Sequence, residues 1–130
     1  MMLGLTFDTG ALIALERRHL AMRKVYEVAI LNGFLMTVPT VVVAEWWRTG
    51  LREKERATLL RSMHVEPLSE LVARIAGAAV GMVRGAGTID AIVMASAAFR
   101  QNTVYTSDLT DLMALQIGVP GFGRVQVLQA

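Results

Sequence analysis

The sequence predicts a three-layer α/β/α sandwich built on a mostly parallel sheet. Three observations point there. Short apolar runs alternate with longer helical patterns along the whole chain. Those runs are continuously apolar rather than alternating, as in strands covered on both faces. The length and composition (130 residues, 54% hydrophobic, 18% charged) suit one domain spanning residues 1–130, with a substantial core. A chain this apolar is not a disordered one.

The elements follow in order. Leu3 to Phe7 is an apolar run of strand formers, stopped by Asp8-Thr9-Gly10. Ala11 to Leu15 reads as a helix. From Leu20 onward Met22, Val25, Tyr26, Ala29 and Ile30 recur at helical spacing, and Asn32-Gly33 supplies the stop. Phe34 to Val38 reads as the second strand. Pro39-Thr40 open a helix through Arg48, with Gly50 as its end. Leu51 to Arg61 is charged and helical, and Met63 to Val65 is a weak strand closed by Pro67. Ser69 begins a long helix with Leu71, Val72, Ile75, Ala76, Ala79, Val80 and Val83 on its apolar face. After the Gly85-Ala86-Gly87 turn, Thr88 caps a helix that runs to about Arg100. Thr103 to Thr106 is a strand, Ser107-Asp108 start the helix Leu109 to Ile117, and Val125 to Leu128 is a last strand.

Several classes are excluded. With no cysteine there is no disulfide scaffold, thiol nucleophile, zinc finger or cysteine-ligated cluster. The longest uncharged run, Val28 to Ala44, is 17 residues broken by Asn32, Gly33 and Pro39, too short to span a bilayer. The start lacks the basic flank of a signal peptide, so the expectation is a soluble, cytoplasmic protein. Gly85-x-Gly87 does not follow a strand and is no dinucleotide fingerprint. A P-loop and a nucleophile elbow are likewise missing.

The net charge is only +2, but its distribution is uneven. Nine of the 13 basic residues precede Met63. The four aspartates are Asp8, Asp90, Asp108 and Asp111. A basic half beside separate acids fits a polyanion held next to a metal; a solvated helical surface is the plainer account.

Asp8 ends the first strand, Asp108 follows the strand Thr103 to Thr106, Asp90 lies in the first turn of its helix, and Glu45 sits in the helix after the second strand. Ligands in open α/β sheets collect at the carboxyl ends of strands near a switch in strand order. Each acid also has a structural explanation. Asp8 and Asp108 suit N-caps, Asp108 with Asp111 a capping box, Asp90 the helix dipole, and Glu45 an i,i+3 pair with Arg48. Context weighs against those readings. Asp90 shares a stripe with Val93, Met94 and Ala97, and Glu45 lies between Val41-Val42-Val43-Ala44 and Trp46-Trp47. Carboxylates are rarely buried unless paired or metal-bound. Two unit charges about 5 Å apart cost roughly 3 kcal/mol at an effective dielectric of about 20, a cost that a divalent cation removes. Oxygen-only ligands favour Mg²⁺ or Mn²⁺. Such ions polarise phosphoryl oxygens and acidify water, so the expected chemistry is metal-assisted phosphodiester hydrolysis. The Thr106 or Ser107 hydroxyl orients a water or a carboxylate, or else caps locally.

Four segments carry a resemblance to the PIN-domain family, and within it to VapC-type toxin ribonucleases. They are Leu5-Thr6-Phe7-Asp8-Thr9-Gly10-Ala11-Leu12, Val41-Val42-Val43-Ala44-Glu45, Asp90-Ala91-Ile92-Val93-Met94-Ala95 and Val104-Tyr105-Thr106-Ser107-Asp108. Their order and spacing cover essentially the whole chain. The resemblance implies that Asp8, Glu45, Asp90 and Asp108 bind Mg²⁺ or Mn²⁺, with Thr106 as the hydroxyl of a Thr/Ser-x-Asp motif and Asp111 nearby, acting through water. It implies RNA, often transfer or ribosomal RNA, as substrate, a cognate antitoxin, a homodimer and a 3-2-1-4-5 sheet. Gly10 departs from the Ser or Asn most often found there. Arg17, Arg18 and Arg48 are candidate phosphate contacts.

Two rivals differ in class. A phosphoacceptor signalling domain needs a late lysine, whereas the only lysines are Lys24 and Lys54. An aspartyl-nucleophile hydrolase needs an acid where Gly10 stands. A PIN-like protein without activity, acting only by binding, remains the alternative reading. Of Trp46-Trp47, one is expected in the core and the other at a dimer or antitoxin surface. Gly77-x-x-x-Gly81-x-x-x-Gly85 is read as close internal helix packing. His19 and His64 are read as surface or turn residues, and the methionines as core filler.

Overall fold

The computed structural model describes residues 4–130. Among the described residues there are five strands: β1 (Gly4–Phe7), β2 (Leu35–Pro39), β3 (His64–Glu66), β4 (Thr103–Thr106) and β5 (Val127–Gln129). All neighbours pair in parallel, in the order β3-β2-β1-β4-β5. The predicted α/β/α sandwich and its strand order are both present. Leu3, expected in β1, lies outside the described residues.

The helices are α1 (Thr9–Glu16), α2 (Leu20–Asn32), α3 (Thr40–Trp46), α4 (Glu53–Arg61), α5 (Glu70–Met82), α6 (Thr88–Arg100) and α7 (Leu109–Gly118), with a 3-10 turn at Pro120–Phe122. Helix α1 packs with α2 and α3, and α6 packs with α5, α7 and the central strands. Strand order reverses at β1, which lies between β2 and β4.

The core explains the tolerance for short strands. Phe7, Leu12, Leu15, Val38, Met94, Val104, Leu112 and Phe122 are fully buried. Each such side chain contributes roughly 1.5–3 kcal/mol by leaving water. Helix α6 is the most enclosed element, with Ala91 to Ala97 buried without a break. That run is why its apolar stripe looks wider in the sequence than one helix face.

Boundaries differ in instructive places. Helix α3 ends at Trp46, not Arg48, and Trp47 is already extended. The Arg48 carbonyl is taken by the Arg56 guanidinium (Nη1 at 2.8 Å), so it serves the loop rather than a helix. Thr88 does not cap α6; Gly87 occupies the N-cap and Thr88 is the first helical residue. Trp46 is the core tryptophan at 4% exposure, its Nε1–H donating to Glu16 at 2.9 Å. The glycine stripe is not internal packing. On α5 the core side carries Val72, Ala76 and Ala79, which turns Gly77 and Gly81 outward with open space around them. Gly85 sits in the turn at φ +80°, a conformation that favours glycine. Both histidines are exposed. Met22, Met36 and Met94 fill the core, while Met82 and Met113 are exposed.

One buried polar group stands out among the described residues. The Thr37 hydroxyl, on β2 beside Thr6 of β1, is fully buried with no hydrogen-bond partner. An unsatisfied buried hydroxyl costs about 1–3 kcal/mol. Thr37→Val keeps the shape and removes the hydroxyl, so it is expected to stabilise the fold by about 1 kcal/mol in urea denaturation. Destabilisation would show that this hydroxyl has a partner in solution.

Candidate functional site

The acids meet where the strand order reverses. A cleft of about 430 Å³ opens at the carboxyl ends of β1 and β4, lined by Asp8, Thr9, Gly10, Glu45, Gly87, Thr88, Ile89, Asp90 and Asp108. Asp8 follows β1 and caps α1, its Oδ1 accepting from the Ala11 N–H at 2.9 Å. Its Oδ2 accepts from the Thr106 hydroxyl. The same Thr106 oxygen accepts from the Asp108 N–H at 2.8 Å. One hydroxyl therefore joins the loop after β1 to the loop after β4. Local capping and carboxylate orientation, separate accounts in the sequence, are both served by it.

Asp108 is the N-cap of α7, but its carboxylate makes no capping bond there. The capping box with Asp111 does not form. Instead Asp90, Asp108 and Asp111 can each offer an oxygen within 4.8 Å of the others. Asp111 thus lies in the acidic cluster itself. The i,i+3 spacing of 108 and 111, one turn apart, was the available signal.

Glu45 is exposed, contrary to the reading of its apolar neighbours. In seven-residue α3 the core side carries Val42 and Trp46, which leaves Glu45 on the open side. Its Oε1 accepts from the Thr9 hydroxyl at 2.6 Å, not from Arg48. Arg48 donates to the Trp47 carbonyl, and Arg18 pairs with Glu55 at 3.3 Å. Arg17, Arg18 and Arg48 are all exposed, and none lines the acidic cleft.

The electrostatics match the geometry. Asp90 is pushed up to about 6, first by burial, then by repulsion from Asp108, Asp111, Asp8 and Glu45. Asp8 is also raised, mainly by burial, with Asp108 adding repulsion. Hydrogen bonds from Thr106, Ala11 and the Ser107 backbone oppose that rise. The donor set is carboxylate oxygen alone, crowded enough to raise a proton affinity. It fits a hard divalent cation such as Mg²⁺ or Mn²⁺.

Gly10 has a steric reason to be glycine. A Cβ there would lie 1.7 Å from Ser107 Oγ and 2.4 Å from Ser107 Cβ. The Ser107 side chain is thus seated on the first turn of α1. Gly10→Ala is expected to cost about 1–3 kcal/mol through overpacking. Ser107→Gly in the same chain should return most of it, as read by thermal unfolding. An unchanged melting temperature for Gly10→Ala alone would contradict the seat.

No protein-family profile matches the sequence, and no curated protein does. Solved structures do match. A VapBC2 complex from Rickettsia felis, bound to a promoter DNA fragment, has a chain that aligns over 97% of this chain and 98% of its own, with TM-score 0.74 and 12% identity. A DNA-bound VapBC complex from Salmonella typhimurium aligns over 98% of both chains, with TM-score 0.72 and 14% identity. A toxin–antitoxin complex from Klebsiella pneumoniae aligns over 96% of both, with TM-score 0.67 and 17% identity. The chain has the PIN-like fold. At these identities the likeness is one of architecture, and the PIN-like frame is what brings β1, β4, α3 and α6 to one cleft.

Proposed function

We propose that this PIN-like chain, one domain over residues 1–130, is the toxin of a toxin–antitoxin pair and a metal-dependent endoribonuclease. The observation that carries the reading is the convergence of Asp8, Glu45, Asp90 and Asp108 on one cleft, with Asp111 beside them. The matching structures include toxin–antitoxin complexes, which supports an antitoxin partner. RNA, with transfer or ribosomal RNA as the first candidates, is the proposed substrate. A homodimer and a cytoplasmic setting complete the proposal. Among the described residues, no helix is long and apolar enough to cross a membrane.

Asp8, Glu45, Asp90 and Asp108 would hold one or two Mg²⁺ or Mn²⁺ ions, with Asp111 adding an oxygen. A bound divalent ion supplies the charge that polarises a phosphoryl oxygen and lowers the pKa of water. The chain's own residues do the rest. Thr106 holds Asp8 and the Asp108 backbone in fixed relation. The buried Asp8 carboxylate is oriented from both ends, by Ala11 and by Thr106. Burial first, and then the neighbouring carboxylates, push Asp90 up to about 6, and a bound cation would favour its ionised form.

The test is cleavage of total cellular RNA by purified protein, with and without Mg²⁺ or Mn²⁺, beside Asp90→Asn. Discrete fragments that require both the ion and Asp90 are expected. If folded, antitoxin-free protein neither cleaves RNA nor binds an ion, the binding-only reading takes its place.

A further inference from the structure

We propose that Thr9 is a positioning residue that fixes the Glu45 carboxylate and leaves one of its oxygens, Oε2, to face a cation. This rests on the acidic-cleft reading above. Glu45 differs from the other cleft acids. It is the one contributed by α3, and its side chain, exposed like that of Asp108, has one more torsion than an aspartate's. In water such a carboxylate samples several rotamers, and ordering it costs entropy.

Thr9 supplies what the backbone does not. Its Oγ1 donates to Glu45 Oε1 at 2.6 Å across a separation of 36 residues. The donor stands on a fixed platform: Thr9 is the first residue of α1, directly after Asp8, whose own carboxylate is held by Ala11 and Thr106. The bond therefore ties Glu45 to the same rigid turn that carries Asp8. A hydrogen bond to an ionised acceptor is about twice as strong as a neutral one, which favours one rotamer. With Oε1 engaged, Oε2 is the oxygen left to a cation.

The contact is not needed to hold the helices together. A part-buried link already joins α1 to α3, where Trp46 Nε1–H donates to Glu16. The Thr9–Glu45 bond lies on the exposed side, where hydrogen bonds add little to stability. Its consequence is orientation.

The experiment is a Mn²⁺ titration followed by electron paramagnetic resonance of the free ion, with thermal unfolding of the same metal-free samples. The proteins are the wild-type chain, Thr9→Val, Thr9→Ser, Glu45→Gln and the Thr9→Val/Glu45→Gln double variant. Thr9→Val should melt close to wild type yet bind Mn²⁺ about tenfold more weakly, the scale found when an outer-shell partner of a metal ligand is removed. Thr9→Ser, which keeps the hydroxyl, should restore the affinity. In the Glu45→Gln background Thr9→Val should cost nothing further. Wild-type affinity in Thr9→Val, weak binding in Thr9→Ser, or an equal loss in the Glu45→Gln background would each overturn the proposal. A wild-type chain that takes up no Mn²⁺ would bring down the acidic-site reading itself, and this one with it.

Discussion

Asp90→Asn is expected to reduce the proposed RNA cleavage by about a hundredfold or more, because losing even an outer-shell partner of a metal ligand costs about 10- to 100-fold. The same substitution should raise the melting temperature of the metal-free protein. Asp90 is partly desolvated and, less strongly, repelled by Asp108, Asp111, Asp8 and Glu45, which lifts it from an ordinary 3.8 to about 6. The folded chain therefore holds this proton more tightly than the unfolded chain. From about pH 4 to 6 the folded state binds more protons, so stability falls as pH rises through that window. Above pH 6 the full penalty is present. Asparagine carries no charge, so Asp90→Asn should flatten this part of the pH profile and melt higher than wild type at pH 7.5. Excess Mg²⁺ should narrow the gap by stabilising wild type more than the variant. A lower melting temperature at pH 7.5 without metal would show that the acids do not repel one another as the cleft implies.

Glu16→Ala should have the largest effect on folding, a loss of about 3–5 kcal/mol, because it strands a buried charge. Glu16 lies at the end of α1 with its side chain 9% exposed, and Arg56 of α4 with its side chain 12% exposed. Arg56 grips both carboxylate oxygens, Nε to Oε1 at 3.1 Å and Nη2 to Oε2 at 3.0 Å. Trp46 donates to Oε1 as well. Alanine leaves the indole N–H and the Nε and Nη2 of the guanidinium without their acceptor, while Nη1 keeps the Arg48 and Leu51 carbonyls. The exposed pair Glu70–Arg74 on α5 is the control. Glu70→Ala there should change stability by about 0.5 kcal/mol or less. Urea denaturation of the two variants side by side decides the matter, and similar losses would mean that burial gives the Glu16 pair no special weight.

Much of this was legible in the sequence because it is local. A continuous apolar run followed by an acid places Asp8 after β1, and the run Thr103 to Thr106 places Asp108 after β4. A parallel sheet puts both strand ends at one edge, and the pairing of β1 with β4 makes them neighbours. Asp90 was legible from its place in the first turn of a helix with an apolar stripe. Glu45 was placed correctly in the chain but not in the solvent. Its neighbours are apolar, yet a helix as short as α3 has one buried side, and residue 45 falls off it. The bonds that orient the acids were not legible. Thr9 to Glu45, Thr106 to Asp8 and Trp46 to Glu16 span 36, 98 and 30 residues, and no periodicity encodes such partners. Gly10 shows the same limit. The sequence displays a glycine in the first turn of a helix, and only the packed chain shows Ser107 filling the space a side chain would need.

The central position of β1 bears on when the cleft can exist. Asp8 at its end precedes Thr106 of the partner strand β4 by 98 residues, and the carboxylates at 108 and 111 come later still. Contacts so distant in sequence close late in folding. A ribosome-bound chain that stops short of β4 carries Asp8 and Glu45 without Thr106 to hold the first or Asp108 to face it. During synthesis the acidic centre is thus incomplete until β4 and the carboxylates at 108 and 111 have followed. A copy truncated before β4 would lack Asp108 and Asp111, two of the three carboxylates whose oxygens lie within 4.8 Å of one another.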